Sequence, residues 1–355
     1  MSALPRPWPA STPRPLVLLG TGAVGRALLA RLQRGQQAGW PLRLHAVANT
    51  RQCWIARSGD GLAPAALPEA GPARPAEALL AGLRRAVVLD ATASEDLAAR
   101  HADWLARGFD VVSANKRGLG GPQARWDAIH AAQACSGARY GDAATVGAGL
   151  PVLRSLRALR AGGDRIHALA GVLSGSLAWL CEQHDGGVPF SQLLWQARAA
   201  GYAEPDPRED LSGADVRRKL LILARSAGWR LEPEAVRIAP LLPPALARLP
   251  LAEFARAANR LDRPWARRLA RAQAQGGRLA YVARLDAQGA RAALEILPAG
   301  DPLLAGAGTD NRVAIWADRY PRQPLRIHGP GAGAEVTAAA MLDEALALAG
   351  PRGWP

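Results

Sequence analysis

Asp215 and Lys219 stand four residues apart in SGADVRRKLLILA, whose apolar spacing predicts a helix beginning near Leu211 or Ser212. The spacing puts a carboxylate and an ammonium on one helix face, with Arg217 and Arg218 projecting elsewhere. An ordinary surface ion pair, contributing roughly a few tenths of a kcal/mol, would look the same in sequence. The lysine itself is unusual. Only Lys116 and Lys219 among the 44 Lys and Arg residues are lysines, the other 42 being arginine. A guanidinium stays charged at any physiological pH, whereas a desolvated ammonium can give up a proton. Two lysines therefore read either as chance survivors of a drift toward arginine or as proton-transfer groups. Lys116, in VVSANKRG, follows a predicted parallel strand at the end where open α/β sheets bind ligands.

A second pattern, LVLLGTGAVG, sets Gly20, Gly22 and Gly25 directly after an apolar strand, with Ala23 and Val24 opening a helix. Glycines there permit a tight turn and close backbone approach, and the helix N-terminus offers unpaired N–H groups to a pyrophosphate. A turn without a ligand is the alternative. An NAD-selective site usually carries an acid after the second strand, but LHAVANTRQ offers Asn49, Thr50 and Arg51. Arg51 suits a 2′-phosphate, which favours NADP(H) while leaving NAD(H) possible. Thr92 and Ser94, in LDATASED, put hydroxyls where a dinucleotide would pass, and Ser94 reads equally as a helix N-cap.

Residues 15–150 alternate apolar runs with helical patterns, which predicts an α/β, Rossmann-type doubly wound parallel sheet. Residues 151–330 read as an α+β unit with an open mixed sheet, for substrate binding and dimerisation. The helical run 331–350 is expected to return to the dinucleotide domain, and residues 1–14 read as a disordered Pro-rich head. At 355 residues two domains are the default. The net charge of +14 comes from scattered arginines without interleaved aromatics, so a nucleic-acid partner is not expected. Cys53, Cys135 and Cys181 form no CxxC pair, and no window has membrane-spanning length, so a cytoplasmic protein is expected. The Arg-rich stretch 242–278 suggests no function.

GDAATVGAGLPVLRSL, GVLSGSLAWL, GYAEPDPREDLSGADVRRKLLILA and the late GPGAG segment running into VTAAAML resemble homoserine dehydrogenase, in order, over about residues 15–350. The middle segment is most similar to the version fused to aspartate kinase. The resemblance implies NAD(P)-dependent interconversion of L-aspartate 4-semialdehyde and L-homoserine, on the route to threonine and methionine, by a homodimer. It implies that Lys219 is the acid/base group and that Lys116 lies where nicotinamide meets substrate. Glu204 and Asp215 would hold the substrate, with Asp210, Tyr202 and Ser176 nearby, and Gly331 and Gly333 would close over the cofactor. Main-chain carbonyls of Ala143, Val146, Ala148 and Leu150 would bind a sodium ion, with Ala143 standing where an acidic residue is common. The resemblance leaves no segment for an amino-acid-binding regulatory domain, so insensitivity to threonine is expected. A dehydrogenase of another amino-acid semialdehyde and a non-catalytic dinucleotide sensor remain alternatives.

Overall fold

The computed structural model describes residues 13–37, 39–56 and 71–350. Residues 1–12 of the expected head and the PRGWP tail lie outside the described residues, and Arg14 already belongs to the first strand. The chain divides into two compact units, one running to Gly149 and resuming at Gly333, the other Leu150–Ala332.

The first unit runs β1 (Arg14–Leu19), α1 (Ala23–Gln37), β2 (Leu42–Ala48), β3 (Gln52–Ile55), β4 (Gly71–Pro72), α2 (Ala76–Leu79), β5 (Val87–Asp90), α3 (Glu95–Ala99), α4 (His101–Ala106), β6 (Asp110–Ser113), α5 (Gln123–Ser136) and β7 (Tyr140–Gly141). Its sheet order is β4-β3-β2-β1-β5-β6-β7. From β2 to β7 the pairs are parallel, and apolar runs such as VVL in β5 are buried on both faces, as a sheet covered by helices requires. The edge departs from the all-parallel expectation: β3 runs antiparallel to β2, and β4 to β3. The cause is local. Asn49 Oδ1 accepts the N–H groups of Arg51 and Gln52 at 2.8 and 2.9 Å, so the chain reverses in a tight turn instead of crossing over. The C-terminal helix Ala334–Ala349 completes the core, burying Ala338, Met341, Leu342 and Ala345 with Leu28, Leu32 and Val112.

The second unit contains α6 (Val152–Ala161), β8 (Ile166–Val172), α7 (Gly175–Gln183), α8 (Phe190–Ala199), α9 (Pro207–Ser212), α10 (Ala214–Ser226), β9 (Arg237–Ile238), α11 (Pro244–Ala247), α12 (Leu251–Ala257), α13 (Asp262–Ala274), β10 (Gly277–Asp286), β11 (Gly289–Pro298), β12 (Asp310–Ala317) and β13 (Leu325–Pro330). Its open mixed sheet has the order β13-β12-β8-β10-β11-β9, antiparallel except where β11 meets β9. The Arg-rich stretch forms the three short helices α11 to α13, and its role is packing. Trp265 stacks on Phe190 with centroids 3.7 Å apart, and Asp262 accepts the N–H of Ser191 in the first turn of α8 at 2.7 Å. The helix expected from Leu211 or Ser212 is two helices. Asp206 caps the first, with Pro207 at its first position, and Gly213 ends it at φ 72°. A Cβ on Gly213 would lie 2.5 Å from the Tyr281 hydroxyl, so close packing demands the glycine as well.

Candidate functional site

The glycine loop joins β1 to α1. Gly20 has φ 101°, and a Cβ there would lie 2.8 Å from the Ala91 carbonyl oxygen; on Gly25 it would lie 2.0 Å from the Gly20 carbonyl oxygen. Both glycines are thus required by the protein's own packing. Gly22 is different, because a Cβ there meets nothing within 4 Å. That open, exposed backbone beside the first residues of α1, Ala23 and Val24, fits a pyrophosphate seated on the helix N-terminus. Asn49 ties this loop to the end of β2, donating to the Thr21 hydroxyl at 2.7 Å. Arg51 is exposed in the next turn.

Beyond β5, Thr92 and Ser94 spend their hydroxyls inside the protein. Thr92 donates to Asp90 Oδ1 at 2.6 Å, and Ser94 accepts the N–H of Leu97 as the N-cap of α3. Asp90 is fully buried and also accepts from Asn115 Nδ2 at 2.9 Å and meets His101 Nε2 at 2.9 Å. Desolvation pushes its pKa up, but the His101 hydrogen bond and charge, with Thr92 and Asn115, outweigh burial and hold the carboxyl below its ordinary value. Lys116 follows Asn115 on the half-buried loop after β6.

In the second unit Lys219 is 7% exposed and donates to the Leu173 carbonyl, just past β8, at 2.8 Å. Asp215 lies 2.9 Å from the same Nζ. Asp215 keeps a half-exposed carboxylate, but the ammonium is buried and aimed at the end of a central strand. Beside it, Ser176 donates to Asp210 Oδ1 at 2.6 Å, and the Glu204 N–H donates to Asp210 Oδ2 at 2.9 Å. Burial, reinforced by the negative charge of Asp215, raises the Asp210 pKa above the usual carboxylate value despite those two donors. Glu204 is exposed, and Tyr202, 46% exposed, rests against Trp179 with ring centroids 5.6 Å apart.

The TVGAGLP residues fall in both units. Ala143, Val146 and Ala148 belong to the first and Leu150 to the second. Ala148 has φ 50°, the one positive value at a non-glycine among the described residues. Gly331 belongs to the second unit, where a Cβ would overlap the buried Asn311 side chain; Gly333, at φ 119°, belongs to the first. No group of three or more His, Cys, Asp and Glu residues suited to a metal occurs among the described residues. Nor is any described helix long and apolar enough to cross a membrane.

Sequence reasoning missed Asp90, His101, Asn115 and the Leu173 carbonyl. The available signal was the polar Asp90 closing the apolar run VVL.

The family models for "Homoserine dehydrogenase, NAD binding domain" and "Homoserine dehydrogenase" match residues 20–141 and 151–346. The bifunctional aspartokinase/homoserine dehydrogenase 2 of Escherichia coli (strain K12) is 39% identical over 349 residues, covering 94% of this chain and 43% of that protein. The homoserine dehydrogenase of Paracoccidioides brasiliensis is 36% identical over 266 residues, covering 72% of each chain. The chain thus spans less than half the length of its first bifunctional relatives. A crystal structure of a Candida auris protein of unknown function matches with TM-score 0.86 at 29% identity, covering 96% of this chain and 99% of that one. A hyperthermophilic archaeal homoserine dehydrogenase in complex with NADPH shares the fold, with TM-score 0.72 at 18% identity over 94% of this chain and 97% of that one. This chain belongs to the homoserine dehydrogenase family of NAD(P)-dependent oxidoreductases.

Proposed function

We propose that the chain interconverts L-aspartate 4-semialdehyde and L-homoserine with NADP(H), and that Lys219 moves the proton. The observation that carries this reading is the desolvated Lys219 ammonium, held between the Leu173 carbonyl and Asp215 beside the Ser176 and Asp210 cluster. The bound dinucleotide supplies or accepts the hydride. The chain's own residues do the rest. Lys219 Nζ stabilises the developing alkoxide and delivers the proton that arginine could not. Asp215 orients that ammonium from one helical turn away. Asp210 and Glu204 receive the substrate ammonium, and Ser176 and Tyr202 complete the substrate wall.

On the dinucleotide side, Gly20, Gly22, Ala23, Val24 and Gly25 cradle the pyrophosphate, and Thr92 and Ser94 line its path. Arg51, at a strand end lacking a carboxylate, pairs with the 2′-phosphate, held in register by the Asn49 turn. Lys116 supplies an ammonium toward the nicotinamide. Gly331 and Gly333 close over the cofactor. Carbonyls of Ala143, Val146, Ala148 and Leu150 hold a sodium ion, consistent with neutral oxygen donors and with the left-handed backbone kept at Ala148. The unit boundaries serve a dinucleotide domain and a substrate domain, and the protein works in the cytoplasm as a homodimer of 37.3 kDa chains.

The deciding experiment follows reduced cofactor on adding L-homoserine, with NADP and NAD in parallel and other hydroxy amino acids as controls. Turnover with homoserine, faster with NADP, is expected. A folded protein that binds NADPH yet turns over another substrate, or none, would overturn the reading. Light scattering at twice the chain mass tests the dimer.

A further inference from the structure

The loop that carries Lys116 is clamped at both flanks by a buried polar group. On one side, Asn115 N–H donates to Ser113 Oγ at 3.0 Å, and Asn115 Oδ1 accepts the Arg117 N–H at 3.2 Å, so an asparagine turn encloses Lys116. The Asn115 amide nitrogen then reaches both Asp90 Oδ2 at 2.9 Å and the Ser94 carbonyl at 2.7 Å. On the other side, Gly118 lies flat on the next members of the chain: a Cβ there would fall 2.6 Å from the Tyr140 hydroxyl and 2.9 Å from His101 Nδ1.

These flanks share one network. Tyr140 Oη lies 2.8 Å from His101 Nδ1, and His101 Nε2 lies 2.9 Å from Asp90 Oδ2, with Asp90 and His101 fully buried. The Tyr140 hydroxyl and the Asp90 carboxylate thus bracket the two ring nitrogens of His101 and fix the ring between them. Burial, with the nearby Asp142 charge, pushes the Tyr140 pKa well above its ordinary value, so the phenol keeps its proton. A bare apolar core would hold the loop at lower cost than a buried carboxylate, so the network's use is geometric specification.

We propose that Asp90, His101 and Tyr140 are positioning residues that set the place of the Lys116 ammonium, acting through Asn115 on one side and Gly118 on the other. The inference rests on the role given to Lys116 above. Asp90→Asn turns one acceptor oxygen into a donor facing Asn115 and His101, and the loop must shift. A displacement near 1 Å of a reacting group costs on the order of 100-fold in rate. Asp90→Asn is therefore expected to lower kcat for homoserine about 100-fold, and Tyr140→Phe, which removes only the end of the line, about fivefold.

A double-mutant cycle separates positioning from general damage. In a Lys116→Ala background, Asp90→Asn should cost less than about threefold further. A full second loss there would overturn the proposal, whereas an unimpaired Lys116→Ala single variant would overturn the role of Lys116 itself. A readout independent of turnover comes from the two lysines in the chain. With acetic anhydride and peptide mass mapping, Asp90→Asn should raise the acetylation rate of Lys116 at least about fivefold and leave that of Lys219 unchanged. Equal change at both lysines, or at neither, would sink the idea. Tyr140→Phe gives the same labelling contrast if Asp90→Asn does not fold.

Discussion

Asp90 and Asp210 are both carboxylates withdrawn from solvent beside a candidate catalytic lysine loop or helix, yet they titrate in opposite directions. Asp90 gathers an imidazole, a hydroxyl, an amide nitrogen and a backbone N–H, and these outweigh desolvation. Asp210 has one hydroxyl and one backbone N–H, with Asp215 adding negative charge nearby, and desolvation wins. The lesson concerns function more than stability. A carboxylate whose partners are all supplied by the protein is a brace. One left short of positive charge fits the role proposed for Asp210, that of receiving a substrate ammonium.

The largest expected effect breaks the receptor side. Lys219→Met should lower kcat for homoserine by about 1000-fold, because charge and proton are both lost, and Lys219→Arg should recover little of it. Steady-state kcat at saturating homoserine is the check; a rate within tenfold of wild type removes Lys219 as the proton donor. Next, Asp210→Asn should raise KM for homoserine by roughly 10- to 100-fold, the cost of a charged hydrogen bond of about 1.5–3 kcal/mol. Its melting temperature should not fall, since the substitution removes an undercompensated buried charge. Smaller again, Arg51→Ala should cut the preference for NADP over NAD about tenfold, read from the ratio of kcat/KM values.

The smallest effect sharpens the comparison through pH. Because the folded Asp210 binds its proton more tightly than the unfolded chain does, stability should fall as pH rises from the ordinary carboxylate value through the raised one. Asp90 has the opposite sign: its contribution is present above the ordinary value and is lost as pH falls through the depressed one. Melting temperatures across the acidic range should therefore show the first slope flattened in Asp210→Asn and the second in Asp90→Asn. Identical profiles for the two variants would contradict the opposed shifts.

The sequence made β1, β2, β5, β6, β8, β10, β11 and β12, the glycine loop and the shared face of Asp215 and Lys219 legible, because each rests on local periodicity or on a backbone demand of glycine. What escaped depended on partners far along the chain. His101 reads as one more polar residue in a helix, and only the folded sheet brings it to Tyr140, 39 positions later. The antiparallel edge turned on a single asparagine side chain after β2. The break between α9 and α10 was written in Asp206, Pro207 and Gly213, but the apolar spacing carried the expected start across it, into the last residues of α9. In the Arg-rich stretch the charges masked Leu246, Phe254 and Trp265, all buried, and so hid three helices.

The helix Ala334–Ala349 closes the core begun by β1, and Arg14, at the start of that strand, donates to the Leu348 carbonyl at 2.7 Å. On the ribosome this inverts the usual order. Residues 150–332 form a contiguous unit, whereas the unit begun by β1 waits, with the groove for the helix Ala334–Ala349 open, until residues 150–332 have been translated. Termination between Ala332 and Met341 would thus leave the 150–332 unit joined to an incomplete first unit, with Leu28, Leu32 and Val112 open as bait for chaperones and proteases.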